Sequence, residues 1–209
     1  MAEELKIAVF ASGKGSNLKA ILDAIKERRL INTAVVCVIS NKKDAGALEI
    51  AKYNNIPAYY ISQSNYSNSD DFDAAIIEVL IRHSVNFIVL AGYLKLLSPR
   101  IVRKYKDRIL NIHPALLPKF GGKGMYGLNV HRAVIECGEK ISGATVHLVD
   151  EEYDHGPIVL QDSIELDPDE TPESLQKKIQ EIEHRIYPEA IKLFVEGKFI
   201  EKEIINNEY

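Results

Sequence analysis

The 209-residue chain is long enough to bury a sizeable core, and its 46% hydrophobic and 27% charged content is that of a globular protein rather than a disordered or membrane-embedded one. A formal net charge of −4 offers no basic field to attract a polynucleotide. The two cysteines, Cys37 and Cys137, lack metal-type spacing, the N-terminus has no signal-type apolar region, and no apolar run nears the ~20 residues that span a bilayer; these features predict one domain, residues 1–209, in a reducing, cytoplasmic setting.

In chain order, Leu5–Ala11 predicts a strand, Ser12–Asn17 a glycine loop, and the stretch to Arg29 a helix with Leu18, Ile21, Leu22 and Ile25 at helical spacing. Thr33–Ser40 reads as a buried strand, Ala45–Asn54 as a helix and Pro57–Ile61 as a third strand. After the polar loop Ser62–Ser69 come a helix over Asp70–His83 and a strand over Phe87–Ala91. Ser98 caps a helix through Tyr105, with Pro99 at its first position. A short strand ends at His113, and Gly121–Gly127 is a flexible loop before a helix over Leu128–Gly138 that stops at its glycine. Ser142–Val149 and Ile158–Ile164 are strands joined by the acidic loop Asp150–Pro157. Thr171 opens a long helix toward Gly197, which Pro188 is expected to kink, and the last twelve residues read as a strand-like or frayed tail. Strands alternating with helices predict an α/β fold with a mostly parallel central sheet covered on both faces, the closing pair adding an antiparallel edge.

The stretch Ile109–Pro118 carries the strongest site signal. Strand geometry puts Asn111 and His113 on one face and Ile112 on the other, and Pro114, having no N–H for a ladder, ends the strand at His113. An amide donor and an imidazole thus reach the carboxyl edge of the sheet, where open α/β sheets bind ligands. A structural histidine is the alternative at this stage.

Gly13, Gly15 and the helix starting at Ser16 form a candidate anion cradle of backbone N–H groups, with Ser16 and Asn17 adding side-chain donors. Leu18 stands where a dinucleotide fingerprint needs its third glycine, and no acid ends the second strand, where Ser40-Asn41 lies; both count against a nicotinamide-linked oxidoreductase. No G-K-[ST] follows, so the loop is not a P-loop. What remains is a nest for one terminal phosphate, or a structural turn.

In the acidic loop most carboxylates read as solvated surface. Asp154 differs, because the turn at Gly156-Pro157 can bring the chain back toward the sheet, where its carboxylate would meet His113 and hold it charged and oriented. A metal site built from His113, His131, His147, His155 and Asp154 is the rival reading; the spacings match no compact ligand motif, and no metal is expected.

Five motifs in order, Ala11–Leu18, Leu90–Tyr93, Leu97–Pro99, Leu110–Pro118 and Gly143–His147 continuing through Asp154–Pro157, together with Glu183–Pro188, make nearly the whole chain resemble the phosphoribosylglycinamide formyltransferase family, folate-dependent enzymes of de novo purine synthesis. The resemblance implies a Rossmann-like formyltransferase fold with Asn111, His113 and Asp154 as catalytic residues. It also implies a nucleotide site of Gly15, Ser16 and Asn17 with Gln180, Glu181, Ile182 and Glu183, and a folate pocket of Leu94, Lys95, Leu96 and Leu97 with Asp150, Glu151, Glu152, Tyr153 and Asp154. The implied co-substrate is 10-formyltetrahydrofolate, the acceptor is glycinamide ribonucleotide, and the protein is expected as a monomer or homodimer with no nucleic-acid or membrane partner. Lys95 stands where some members carry arginine, no arginine lies near Ser69 for the folate tail, and the loop Lys119–Val130 is longer than in many relatives, as a lid or an insertion. Formylation of methionyl-tRNA would call for an added basic C-terminal domain, and hydrolysis of formyl-folate for an N-terminal regulatory domain; neither is read in this chain. A non-catalytic sugar-phosphate binder is the remaining alternative.

Overall fold

Along the first strand Ile7 and Val9 point to one side and Ala8 and Phe10 to the other, and all four are fully buried. A strand buried on both faces needs helices above and below it, the condition met by a parallel sheet with crossover helices. The computed structural model describes residues 4–198 and has this form. Its strands are β1 (Leu5–Phe10), β2 (Thr33–Ser40), β3 (Ala58–Tyr60), β4 (Phe87–Leu90), β5 (Ile109–His113), β6 (Ile141–Leu148) and β7 (Ile158–Glu165). Its α-helices are α1 (Ser16–Lys26), α2 (Gly46–Tyr53), α3 (Ser69–Arg82), α4 (Pro99–Lys104), α5 (Leu128–Glu136) and α6 (Pro172–Val195).

The sheet order is β3-β2-β1-β4-β5-β6-β7. Strands β1 to β5 run parallel and β6 and β7 are antiparallel, as the closing pair of the sequence suggested. One face packs on α1, α2, α5 and α6 and the other on α3 and α4. The direction of strand order reverses between β1 and β4, so the crevice at their carboxyl ends is the topological switch point of the sheet. The glycine loop after β1 and the segment after β4 meet there: Ser12 N–H donates to the Gly92 carbonyl at 3.0 Å, and Leu94 N–H donates to Ser12 Oγ at 3.0 Å.

Two helices differ from expectation. Helix α1 stops at Lys26, because Arg28 takes a left-handed conformation (φ 59°) and Arg29 N–H bonds back to the Ala24 carbonyl, closing the helix without a glycine. Helix α6 runs as one 24-residue element through Pro188, which is buried in it. Its start is fixed by a capping box between Thr171 and Ser174, with Pro172 in the first turn. The tail expected beyond Lys198 lies outside the described residues. Among the described residues no helix is long and apolar enough to cross a membrane.

Candidate active site

Ile109 packs in the α3/α4 core, while Leu110 and Ile112 pack in the opposite one. Strand periodicity then places Asn111 and His113 on the α3/α4 side, beyond the last core residue of their row. The loop after β6 returns over this same side. Leu148 N–H donates to the Pro157 carbonyl at 2.8 Å, pinching the loop shut. The neck is so narrow that a Cβ on Gly156 would stand 2.0 Å from the Leu148 carbonyl oxygen, so only glycine fits. Asp154, at φ 53°, is aimed from this loop at the strand.

Its carboxylate meets both predicted partners. Asn111 Nδ2 donates to Asp154 Oδ1 at 3.3 Å, and His113 Nδ1 lies 3.5 Å from Oδ2. The third contact was not foreseen: Gly122 N–H, in the glycine-rich loop after β5, donates to Oδ2 at 2.9 Å. In the same loop the Phe120 carbonyl accepts from His113 Nε2 at 2.8 Å. The loop therefore lies over the site, and the His113 side chain is only 3% exposed.

His147 completes the cluster. In the antiparallel β5–β6 pair it stands opposite Asn111. Its Nδ1 donates to the Leu148 carbonyl at 2.7 Å; a carbonyl can only accept, so the proton is on Nδ1 and Nε2 is left as an acceptor. Asn111 Nδ2 donates to that Nε2 at 3.0 Å, which tells the amide nitrogen of Asn111 from its oxygen. Both Nδ2 protons are thereby committed, one firmly to His147 and one loosely to Asp154. The sequence held one signal for this residue: Thr145 and His147 are polar residues that alternate with the apolar Ala144, Val146 and Leu148.

Burial would raise the Asp154 carboxyl, but the positive charge available at His113 and the Gly122 N–H outweigh it, and the group is held below its ordinary value. His113 goes the other way from expectation. Burial pushes its imidazole down by more than Asp154 and the Phe120 carbonyl pull it up, so the group is held below its ordinary value. His131 is also buried nearby, its Nδ1 without a hydrogen-bond partner among the described residues, and burial and the neighbouring His113 push it down to about 4.

Of the rival metal set, His113, His147 and Asp154 meet, while His155 turns to Asp150 instead. His155 pairs with Asp150 at 2.7 Å on the surface, and among the described residues no group of three or more His, Cys, Asp or Glu is placed to hold an ion.

The glycine loop is held from α6. Gln180 Nε2 donates to Ser16 Oγ at 2.8 Å, and Asn17 Nδ2 donates to Glu183 Oε2 at 3.0 Å. Residues three apart share a helix face, so Gln180 and Glu183 reach the loop together while their neighbours cannot. Ile182 is buried in the core with Ile179 and Ile186, and Glu181 is exposed; of the four nucleotide residues expected on α6, these two do not face the loop. Gly15 caps α1 in a left-handed conformation, and a Cβ there would lie 2.7 Å from Ala47 Cα of α2. Its backbone freedom thus serves helix packing as well as the loop.

Burial raises the Glu183 carboxyl to about 7, more than the Asn17 donor lowers it. The native state then binds this proton more tightly than the unfolded chain, so stability falls as pH climbs from about 4.5 through about 7. Glu183→Gln should flatten that slope and raise the Tm at pH 8 by roughly 5 °C, read by thermal unfolding between pH 4.5 and 8. A slope identical to that of the parent protein would refute the assignment.

The expected folate residues divide by exposure. Leu94 and Leu96 present apolar surface, with Lys95 exposed between them, but Leu97 turns into the α3/α4 core. Asp150 Oδ1 accepts from Glu152 N–H in a tight turn, Glu151 pairs with Arg103 of α4 at 2.7 Å, and Glu152 and Tyr153 are exposed. Apart from Asp154, these acids shape the loop or face solvent.

The sequence profile of the formyl transferase family matches residues 5–191. A chloroplastic phosphoribosylglycinamide formyltransferase of Arabidopsis thaliana is 44% identical over 187 residues, 89% of this chain; the chain spans 64% of that protein's length. The phosphoribosylglycinamide formyltransferase of Haemophilus influenzae is 44% identical over 193 residues, 92% of this chain and 88% of its own length. The crystal structure of glycinamide ribonucleotide transformylase 1 from Symbiobacterium toebii superposes with a TM-score of 0.86 at 42% identity, covering 92% of this chain and 88% of that one. By the extent of these matches, the chain belongs to the formyl transferase family and, within it, to the phosphoribosylglycinamide formyltransferases.

Proposed function

We propose that this protein transfers the formyl group of 10-formyltetrahydrofolate to the amine of glycinamide ribonucleotide, with Asn111, His113 and Asp154 as its catalytic residues. The observation that carries the reading is the convergence of these three side chains, from two elements more than forty residues apart in sequence, within 3.3 and 3.5 Å of one another. The terminal phosphate sits on the N–H groups of Gly15, Ser16 and Asn17, where the first turn of α1 favours an anion. Gln180 and Glu183 face the rest of the nucleotide, and Leu94 and Leu96 offer apolar surface to the folate.

The amine nitrogen attacks the formyl carbon, forming a C–N bond while the carbonyl π pair moves onto oxygen. Two donors are available to that oxyanion: the Asn111 N–H now held loosely by Asp154, and the His113 Nε2–H now given to the Phe120 carbonyl. Each such donor is worth about 2.7–4 kcal/mol of barrier. Asp154, held ionised, takes the proton that the attacking nitrogen must lose, directly or through one water. That proton passes to the folate nitrogen as the old C–N bond breaks and the carbonyl re-forms. No covalent enzyme intermediate is needed.

Two unpaired cysteines, with Cys37 buried and its thiol pushed up to about 12, support a reducing compartment. The reaction is tested by mixing the protein with glycinamide ribonucleotide and 10-formyltetrahydrofolate and following tetrahydrofolate release with each substrate omitted in turn. Release only when both are present is the expected result. Release without the nucleotide would make the protein a hydrolase, and no release with both would reject the reading.

A further inference from the structure

Helix α6 makes a buried polar contact with the middle of the sheet. Tyr187 is fully buried in the core, and its hydroxyl donates to two main-chain carbonyls, Leu90 at 2.9 Å and Leu110 at 3.1 Å. These carbonyls belong to neighbouring parallel strands: Leu90 is the last residue of β4 and lies in register with Asn111 of β5. The Leu110 carbonyl belongs to the peptide plane that carries the Asn111 nitrogen. On the other strand, the chain leaving Leu90 reaches Gly92, whose carbonyl accepts from Ser12 of the glycine loop. Tyr187 lies four residues beyond Glu183 and seven beyond Gln180, on the same helix face.

The geometry points to Tyr187 as a positioning residue of the transfer reaction: its hydroxyl, shared between the Leu90 and Leu110 carbonyls, fixes the distance between the nucleotide-facing groups of α6 and the amide of Asn111. Gln180 and Glu183 bond to the glycine loop rather than to β4 or β5, and the apolar contact of α6 cannot set this distance. Leu175, Ile179, Ile182, Ile186 and Ile191 bury apolar surface, which is strong but non-directional and tolerates small slips. A hydrogen bond has a preferred length and angle, and one phenolic proton between two carbonyls stops the helix from sliding along either strand. Reacting atoms held about 1 Å out of place cost about 10²-fold in rate, so even a partial slip is visible in turnover.

This role rests on the formyl-transfer reading above, and its test separates the two. In Tyr187→Phe, which keeps the ring, kcat should fall by about 10–30-fold with KM for each substrate within about threefold of the parent. In an Asn111→Ala background the same substitution should cost less than about threefold, since the group being positioned is gone. Ile191→Val, a buried α6 change one turn beyond Tyr187 that removes no polar group, should lower the Tm and spare kcat. Replacing Tyr187 by 4-aminophenylalanine, which restores N–H donors at the same place, should return most of the lost kcat, and it serves where the Phe variant folds poorly. A Tyr187→Phe kcat within twofold of the parent would overturn the role, as would an equal loss in the Asn111→Ala background or a rise confined to KM. A parent protein that releases no tetrahydrofolate would instead overturn the assigned reaction.

Discussion

Asp154→Asn should lower kcat by on the order of 10²–10⁴ while leaving the nucleotide KM within about threefold. The substitution is nearly isosteric, and asparagine is among the residues that best tolerate the left-handed conformation Asp154 occupies, so the backbone is not the variable. What changes is charge and hydrogen-bond polarity. The carboxylate accepts from Gly122 and Asn111 and faces His113 and His147. An amide can keep one of these acceptor contacts but must turn its NH₂ toward groups that are themselves donors, or give up the Gly122 bond. It also cannot take a proton from the attacking amine. The nucleotide is gripped elsewhere, on the glycine loop and α6, so binding should persist. Steady-state kinetics with each substrate varied would decide, and a near-normal kcat would remove Asp154 from the chemistry.

How much of this was legible in the sequence depends on whether the controlling interaction is local. Asn111 and His113 could be placed on one face at a sheet edge because strand period and the missing N–H of Pro114 are properties of five adjacent residues. The antiparallel edge formed by β6 and β7 followed from the short connection between them. His147 escaped because its role depends on the β5–β6 register, which no local pattern states. The contacts of Phe120 and Gly122 are made by backbone groups, which carry no residue signature at all. The downward shift of His113 was missed for a related reason: a carboxylate partner can be guessed from the chain, but the depth of burial that outweighs it cannot.

Some of the discrepancy was avoidable. Leu175, Ile179, Ile182 and Ile186 are spaced four, three and four, the apolar stripe of a helix facing a core. That spacing places Ile182 in the interior and turns Glu181 outward, so only Gln180 and Glu183 could have reached the glycine loop. Leu97 presents the same lesson beside Leu94 and Leu96: three leucines in four residues are not one surface, and the buried one belongs to the α3/α4 core.

Asn111→Asp should be worse than Asn111→Ala, although aspartate is the closer match in shape. Alanine removes an oxyanion donor, a loss of about 10²–10³ in kcat. Aspartate removes the same donor and puts a second carboxylate about where Nδ2 now lies, 3.3 Å from Asp154 Oδ1, in a buried site. Two carboxylates that close cannot both ionise without large cost, so the pair would keep one proton, with one apparent pKa strongly raised. Around neutral pH the site would then lose either its charged base or its donor, and kcat should fall by roughly 10³ or more. The sign of the pH effect follows. Lowering the pH supplies the shared proton, so the Asp variant should recover relative to the Ala variant as pH falls, while the Ala variant, having no carboxylate at 111, gains nothing from that proton. Kinetics of both variants from pH 5.5 to 8.5 would check this; an Asp variant that outperforms the Ala variant at high pH would show that position 111 does not face the developing negative charge.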